Sequence, residues 1–216
     1  MKVYIFILAA AAYLLAGCEK DTFHDTGLAN GVHDCSAWEY MQKGHGNWDS
    51  VRIMVEKAGL VELFDGRDAE HPEVTVFGLT NLSIIQYLLK TLGPDRKPLY
   101  QRVADIPDDL CREILLSYVI PGRHVRVDFP YEVKGTLTGG EVFRTLNGRE
   151  IRVYRIRSSW NGLPDVGADG IGIHFLGSGH TGHIASGDIM TDNAVVHSLS
   201  TTFQMVNPKG RSIINP

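Results

Sequence analysis

The spacing of hydrophobic residues changes near residue 121 and divides this chain into a helical part and a strand-rich part. Before that point, apolar residues recur at intervals of three and four in several short segments, as amphipathic helices require. Ser36, Asn47 and Thr80 precede three of these segments and are predicted N-caps, while Gly59 is predicted to end the second helix. The pattern therefore predicts a series of short helices.

The helix after Thr80 is predicted to bury one apolar stripe along its length. The stripe consists of Leu82, Ile85, Leu88, Leu89 and Leu92. A strand is predicted before it, over residues 73–77, where β-branched residues predominate. Another helix is predicted from the Pro and acidic residues at 105–109 to about Val119, with Pro121-Gly122 as its stop signal.

The second part of the chain alternates apolar and polar residues, which is typical of strands with one buried face. Two predicted strands, 141–146 and 149–157, are joined by Asn147-Gly148, the signal for a type I′ hairpin turn. The alternating arginines of the second strand are interpreted as a solvated face. These are Arg149, Arg152, Arg155 and Arg157.

Further strands are predicted at 125–129, at 131–137, and near 171–176, 183–185 and 195–199, and residues 158–172 are interpreted as a Gly-rich loop. Helices are thus followed by mostly antiparallel strands, with a late strand closing the core. This order defines an α+β fold class.

The N-terminal segment has the layout of a secretory signal. Lys2 precedes an apolar run over 3–15, and small residues then lead to a cysteine in Leu15-Ala16-Gly17-Cys18. This layout resembles a bacterial lipoprotein signal, which predicts lipid on Cys18 and attachment to a membrane of the cell envelope. An ordinary signal peptide with an incidental Cys18 is the alternative.

Four segments follow from this interpretation: a signal peptide over 1–17, a polar tether over 18–35, one domain over 36–210 and a tail over 211–216. Removing the signal takes away Lys2 and no acid, so the formal charge falls from −4 to −5. An acidic chain without a basic cluster argues against nucleic acid as a partner and against electrostatic membrane binding.

Cysteine and histidine chemistry stays open at this level. Outside the cytoplasm Cys35 and Cys111 could form a disulfide, or each could be an isolated buried thiol. The best metal candidates are His174, His180 and His183, but they lack a ligand framework, so polar loop residues are the preferred interpretation and neither metal nor cofactor is expected.

Four motifs in order resemble fasciclin (FAS1) domains. They are Thr75–Asn81 (TVFGLTN), Leu115–Gly122 (LLSYVIPG), Leu146–Gly148 (LNG) and Ser186–His197 (SGDIMTDNAVVH). The resemblance implies a wedge of two small, mostly antiparallel β-sheets flanked by N-terminal helices. It also implies structural roles for Asn81 and His197. Leu79 and Ala194 depart from the family pattern, which has Pro and Gly at these positions.

The same resemblance raises two candidate binding sites. In animal members of the family, Asp-Ile motifs matching Asp188-Ile189 are associated with integrin-mediated adhesion. The alternative is that Asp188 caps a turn and Ile189 fills the core. Trp160, in the Gly-rich loop, could stack on a sugar or anchor a protein, or could fold back over the sheet edge.

No nucleophile elbow or ordered triad is present in the sequence, so an enzyme is not expected. The expected function is a non-enzymatic, lipid-anchored FAS1 module, of the Bacteroides type of outer-membrane lipoprotein, that binds protein or polysaccharide in adhesion. The alternative is an accessory glycan-binding lipoprotein of a polysaccharide-uptake system. The partner is unknown, apart from the membrane that lipid on Cys18 would enter.

Overall fold

A computed structural model describes residues 31–43 and 47–205. The predicted signal, the lipidation site at Cys18, most of the tether and the tail over 211–216 lie outside the described residues. Gly31 and His33 exchange backbone hydrogen bonds with Met190, so the domain-side end of the predicted tether lies against the late part of the sheet. Among the described residues, no helix is long and apolar enough to span a bilayer.

In the described part of the chain, five helices come before most of the strands, and the periodicity predicts all of them except the short third one. They are α1 (Ala37–Gln42), α2 (Asp49–Lys57), α3 (Val61–Phe64), α4 (Asn81–Lys90) and α5 (Asp108–Leu116). Strand β1 (Val74–Gly78) lies between α3 and α4, and two 3-10 turns lie at Val103–Asp105 and Arg126–Asp128. The α+β class is confirmed.

Two of the three predicted helix caps form. The Ser36 hydroxyl accepts the Glu39 N–H and Glu39 reaches back to the Ser36 N–H, which completes a capping box at α1. The Thr80 hydroxyl accepts the Ser83 N–H at the start of α4. The third prediction is wrong: Trp48 occupies the N-cap position of α2 without a side-chain bond.

Seven strands form one mixed sheet in the order β2-β1-β7-β6-β5-β4-β3. Besides β1, they are β2 (Val119–Pro121), β3 (Glu141–Arg144), β4 (Glu150–Arg157), β5 (Asp169–Phe175), β6 (His180–Met190) and β7 (Ala194–Leu199). Among the neighbouring strands of this described sheet, β1 and β7 form the one parallel pair, with Phe77 opposite His197. The late strand β7 thus joins the early strand to the C-terminal hairpins, as the sequence predicts.

Strand β6 serves its two neighbours along different stretches. Its first residues, 180–183, pair with β5, whereas residues from Ile184 to Met190 pair with β7. The register shifts twice in the second stretch, and Asp188 lies there with a φ of 58°. Irregular pairing of this kind bends a strand and redirects its side chains.

The predicted strands at 125–129 and 131–137 are wrong. The first segment forms the 3-10 turn. The second belongs to a loop over 130–140, here called the covering loop, which bridges β4 at Tyr131. Backbone bonds link this loop to β4, because Glu132 donates its N–H to the Arg155 carbonyl at 3.0 Å. The alternating apolar residues of 131–137 therefore belong to the covering loop and not to a paired strand.

Burial also corrects two predictions about faces. The stripe on α4 is wrong, because Leu82, Ile85, Leu89 and Leu92 are exposed and the helix instead packs through Ser83, Ile84, Tyr87 and Leu88. The arginines of β4 are not uniformly solvated. Arg152 is only 5% exposed and donates to the carbonyls of Thr138 and Gly139 in the covering loop.

The turn between β3 and β4 is not of the predicted type. At Asn147-Gly148 only Gly148 has positive φ, and its N–H donates to the Thr145 carbonyl at 2.8 Å, so the predicted type I′ turn is wrong. The Asn147 amide instead donates to the Glu113 carbonyl and the Ser117 hydroxyl at the end of α5. That anchor fixes the turn from outside.

The type I′ signature appears in the loop between β4 and β5. Asn161 and Gly162 both have positive φ, 48° and 79°, and Trp160 and Leu163 exchange two backbone hydrogen bonds of 2.9 Å. The segment interpreted as a Gly-rich loop is therefore an ordered extension of the β4–β5 hairpin, with Trp160 at its tip.

Candidate binding surface

Buried polar residues hold the FAS1-like motifs together. His197 has no exposed surface; its Nε2–H donates to the His124 carbonyl at 2.9 Å, and its Nδ1 accepts the Asp188 N–H at 3.2 Å. This arrangement requires the neutral Nε2–H tautomer. Burial lowers the pKa of His197, which favours the same neutral form. Its position is that of a structural residue.

Two asparagines make comparable joints. The Asn81 amide oxygen accepts the Ser50 N–H at 2.9 Å and thereby ties α4 to α2. Asn193, just before β7, accepts the Ala37 N–H at 2.9 Å and donates to the Phe64 carbonyl at 3.2 Å. Asn193 therefore connects α1, α3 and the sheet, a role that its position in a turn motif did not reveal.

Asp188 and Ile189 both make contacts within the fold, and 29% of the Asp188 side chain stays exposed. Ile189 is buried in the core. A carboxylate oxygen of Asp188 accepts the Arg126 N–H at 2.6 Å, and the other lies 3.6 Å from Arg126 Nε. The contacts match the alternative in which the aspartate fixes a turn and the isoleucine fills the core.

The remaining chemistry-bearing residues do not converge. No group of three His, Cys, Asp or Glu side chains within the described ranges could hold a metal ion. His174 is buried beside Arg152, and both burial and this cation lower its pKa, whereas His180 is hydrogen-bonded to the Gln204 carbonyl at 2.6 Å. Cys35 and Cys111 are both free, buried thiols, and burial raises the pKa of Cys111 to about 11.

The far end of the β4–β5 hairpin presents an exposed apolar tip. Trp160 is 72% exposed, so it does not fold back over the sheet edge. Leu163 and Val166 on the same hairpin extension are also exposed. A large aromatic side chain on a backbone-paired turn is a rigid contact group that loses little conformational entropy when it binds.

A cleft of about 370 Å³ opens between this hairpin and the covering loop. Its lining residues are Tyr131, Glu132, Lys134, Arg155, Arg157 and Asp165. Lys134 forms an ion pair with Asp165, so one contact joins the covering loop to the hairpin extension that carries Trp160. The volume falls within the range of small-molecule sites.

Tyr131 organises the charges at one wall of the cleft. Its ring lies 4.0 Å from the Arg155 guanidinium and 4.5 Å from that of Arg157. Its hydroxyl donates to Asp169 Oδ2 at 2.7 Å and accepts a hydrogen bond from Arg157. The Tyr131 bond, followed by that from Arg157, lowers the pKa of the Asp169 carboxyl and keeps it ionised.

This cluster was not predicted from the sequence. Arg155 and Arg157 are two residues apart on β4 and therefore share a face, but that face was interpreted as solvated. Tyr131 and Asp169 come from the covering loop and from the start of β5, so only the folded chain brings them to the arginines. The sequence feature that could have indicated the cluster is the pair of arginines two residues apart on a strand, followed by a loop that contains Trp160.

The fold is therefore an α+β domain in which buried polar residues hold the motifs in place and a charged cleft opens at the surface. No protein-family model matches this chain, and no curated protein matches it. Among solved structures, it is similar to a FAS1 domain pair from the insect cell adhesion molecule fasciclin I, at 16% identity and a TM-score of 0.46. The alignment covers 72% of this chain and 44% of that one, so this chain spans less than half of that structure's length.

Proposed function

We propose that this chain is a non-enzymatic binding module of the FAS1 type, held on a bacterial envelope membrane by lipid on Cys18. The four FAS1-like motifs support the family. The resemblance implies two small sheets, whereas the described strands form one seven-stranded sheet. The lipoprotein-like signal supports the anchor. In this account Asn81, Asn193 and His197 are structural, and recognition uses a separate surface.

One observation carries the functional part of the proposal: Trp160 is exposed at the tip of a hairpin whose residues Arg157 and Asp165 line a charged cleft. Exposed aromatic anchors beside polar groups are typical of recognition surfaces. We call this surface the hairpin end, defined by Trp160, Leu163, Val166 and the six residues that line the cleft. It would bind protein or polysaccharide in adhesion.

An accessory role in polysaccharide uptake is the second candidate function. The exposure of Trp160 favours it, because an accessible indole ring can stack on a sugar. In that case the partner is a nutrient glycan rather than a cell or matrix surface. Impaired growth on one polysaccharide after deletion of the protein, without loss of cell attachment, would select this candidate.

A binding screen tests the proposal directly. The full chain, purified in detergent, is applied to arrays of matrix proteins and polysaccharides alongside Trp160→Ala. Leu89→Ala removes an apolar side chain of similar exposure, 62% against 72% for Trp160, from α4 and serves as the matched control. We expect a ligand that Trp160→Ala loses and Leu89→Ala keeps. Equal binding by both variants would remove the hairpin end from the account.

Lipidation is tested separately in cells. Incorporation of labelled palmitate is compared between wild type, Cys18→Ser and Cys35→Ser, which changes a cysteine that is buried in the domain. We expect label in wild type and Cys35→Ser only. Label that persists in Cys18→Ser would show that the anchor is attached elsewhere.

A further inference from the structure

We propose that the cleft at the hairpin end is a saccharide site that selects a sugar ring bearing a carboxylate, such as a uronic acid. This inference rests on the proposed binding function and names the ligand class for the same surface. It is carried by the donors and acceptors that line the cleft, by their fixed geometry and by the hydroxyl-binding groups beside them.

The cleft is lined by hydrogen-bond donors that have no partner among the described residues. Within the described part of the chain, the Arg155 guanidinium makes one hydrogen bond, from Nε to the Phe129 carbonyl at 2.7 Å. Its Nη1 lies 3.8 Å from Asp169 Oδ2, too far for a hydrogen bond. Arg157 uses Nε and one terminal nitrogen on Asp169 and Tyr131. Several guanidinium N–H groups thus remain for a ligand.

The guanidinium groups are held in position before any ligand arrives. Both contact the Tyr131 ring, and Asp169 lies behind them with its carboxylate bonded to Tyr131 and Arg157. A guanidinium is a planar fork of donors that matches the two oxygens of a carboxylate. Fixing it in advance reduces the conformational entropy that binding costs.

Carboxylates in the same cleft favour a sugar over a simple anion. Glu132 and Asp165 line it together with Lys134, so the cleft presents acceptors for hydroxyl protons next to donors for a carboxylate. Sulfate has no protons to offer these acidic groups at neutral pH, and inorganic phosphate has only one or two P–OH groups. A uronic acid ring has both hydroxyls and a carboxylate, and Trp160 on the adjoining hairpin can stack on the next ring of a chain.

Calorimetric titration of the full chain in detergent tests the ligand class. The probes are a uronic acid trisaccharide, its methyl ester, and a peptide with a free C-terminal carboxylate. We expect the acid to bind about tenfold or more tightly than its ester, since an ionised acceptor gives the stronger hydrogen bonds. Equal affinity for acid and ester would overturn the proposal, and so would binding of the peptide alone.

Two variants locate the site. Lys134→Met removes a half-exposed cation paired with Asp165, and Lys97→Met removes an exposed cation paired with Asp95 elsewhere on the surface. We expect the first to weaken trisaccharide binding about tenfold and the second to leave it within about twofold. Thermal unfolding of both variants checks that they fold.

The outcome separates this inference from the proposed function. Loss of array binding in Trp160→Ala without any response to the uronic acid probes keeps the binding module and overturns the saccharide site. Trisaccharide binding that Lys134→Met leaves unchanged would overturn the cleft as its location. Trisaccharide binding that is weakened in Lys134→Met and kept in Lys97→Met would support both the binding module and the saccharide site in the cleft.

Discussion

Two clusters of polar residues in this domain differ in their exposure to solvent. The first joins His197, Asp188 and Asn193 to the backbone of distant segments, and it is mostly buried. The second joins Tyr131 and Asp169 to two arginines, and it opens onto a cleft. In the first, most polar atoms are bonded to the protein's own backbone. In the second, donors remain for something else.

The difference distinguishes the motif residues from the binding surface that we propose. Residues that resemble a family signature are those that the fold needs, because their hydrogen bonds fix strand ends and helix contacts. Buried groups with satisfied bonds contribute to stability. Rigid groups with spare hydrogen-bonding capacity on an open surface are suited to recognition, and four predictions test this division.

The largest effect is expected for Asn193→Ala. It leaves the Ala37 N–H without its partner and removes a donor from the Phe64 carbonyl, both in the interior. We expect a loss of about 2–4 kcal/mol in the free energy of unfolding, measured by urea denaturation. Asn47→Ala, an exposed asparagine that does not cap α2, is the control and should cost less than about 0.5 kcal/mol. Similar losses of unfolding free energy in both variants would contradict the connecting role of Asn193.

Acid should destabilise the domain through its buried histidines. Burial lowers the pKa of His197 and of His174 in the folded state, so the unfolded chain takes up protons more readily. Their contribution is complete above the ordinary value of about 6.5 and is lost as the pH falls through the lower folded-state values. Urea unfolding between about pH 8 and about pH 5 measures this slope.

His197→Gln is the variant that attributes the slope to one residue. It should be less stable at the upper pH, because the ring's two backbone bonds are disturbed, and its stability should fall less steeply toward acid. His183→Gln changes an exposed histidine and should keep the slope of the wild type. An unchanged slope in His197→Gln would mean that its protonation is not the cause.

A smaller effect on stability is expected for Tyr131→Phe. The change removes the hydroxyl that donates to Asp169 and accepts from Arg157, but the ring still packs against both arginines. Because the cluster is open to solvent, we expect a loss of about 1 kcal/mol or less. Ligand binding at the cleft should weaken in the same variant, because the arginines lose their orientation. A loss of unfolding free energy as large as that of Asn193→Ala would show that the Tyr131 cluster has a structural role instead.

The smallest effect on stability is expected for Trp160→Ala. Its ring is exposed, and the turn is held by backbone bonds that the variant retains. We expect the free energy of unfolding to stay within about 0.5 kcal/mol of wild type, in contrast to the loss of binding on the array. A substantial destabilisation would indicate that the indole covers part of the core.

Much of the fold could be predicted from sequence, because periodicity and capping are local. The capping box at Ser36, the cap at Thr80 and the late strand β7 were all visible in the pattern. The α4 stripe failed because that helix is apolar on more than one side, and spacing alone cannot tell which side meets the sheet.

The candidate site was much less predictable. Its residues come from the covering loop, from β4 and from β5. They come into contact only because the covering loop, whose apolar and polar residues alternate as in a strand, folds over β4. The type I′ turn was missed for a related reason: Asn147-Gly148 and Asn161-Gly162 carry the same dipeptide, and contacts with α5 decide which one forms the tight turn. Such contacts are not local in sequence.

The decisive experiment compares how the full chain binds its array ligand in Trp160→Ala and in Asp188→Asn, at equal folded fraction. Asn suits the positive φ at Asp188 but removes the charge that a partner of the Asp188-Ile189 motif would need. The account predicts that Trp160→Ala abolishes binding and that Asp188→Asn retains it. Binding lost in Asp188→Asn and kept in Trp160→Ala would place recognition on the motif and contradict the account.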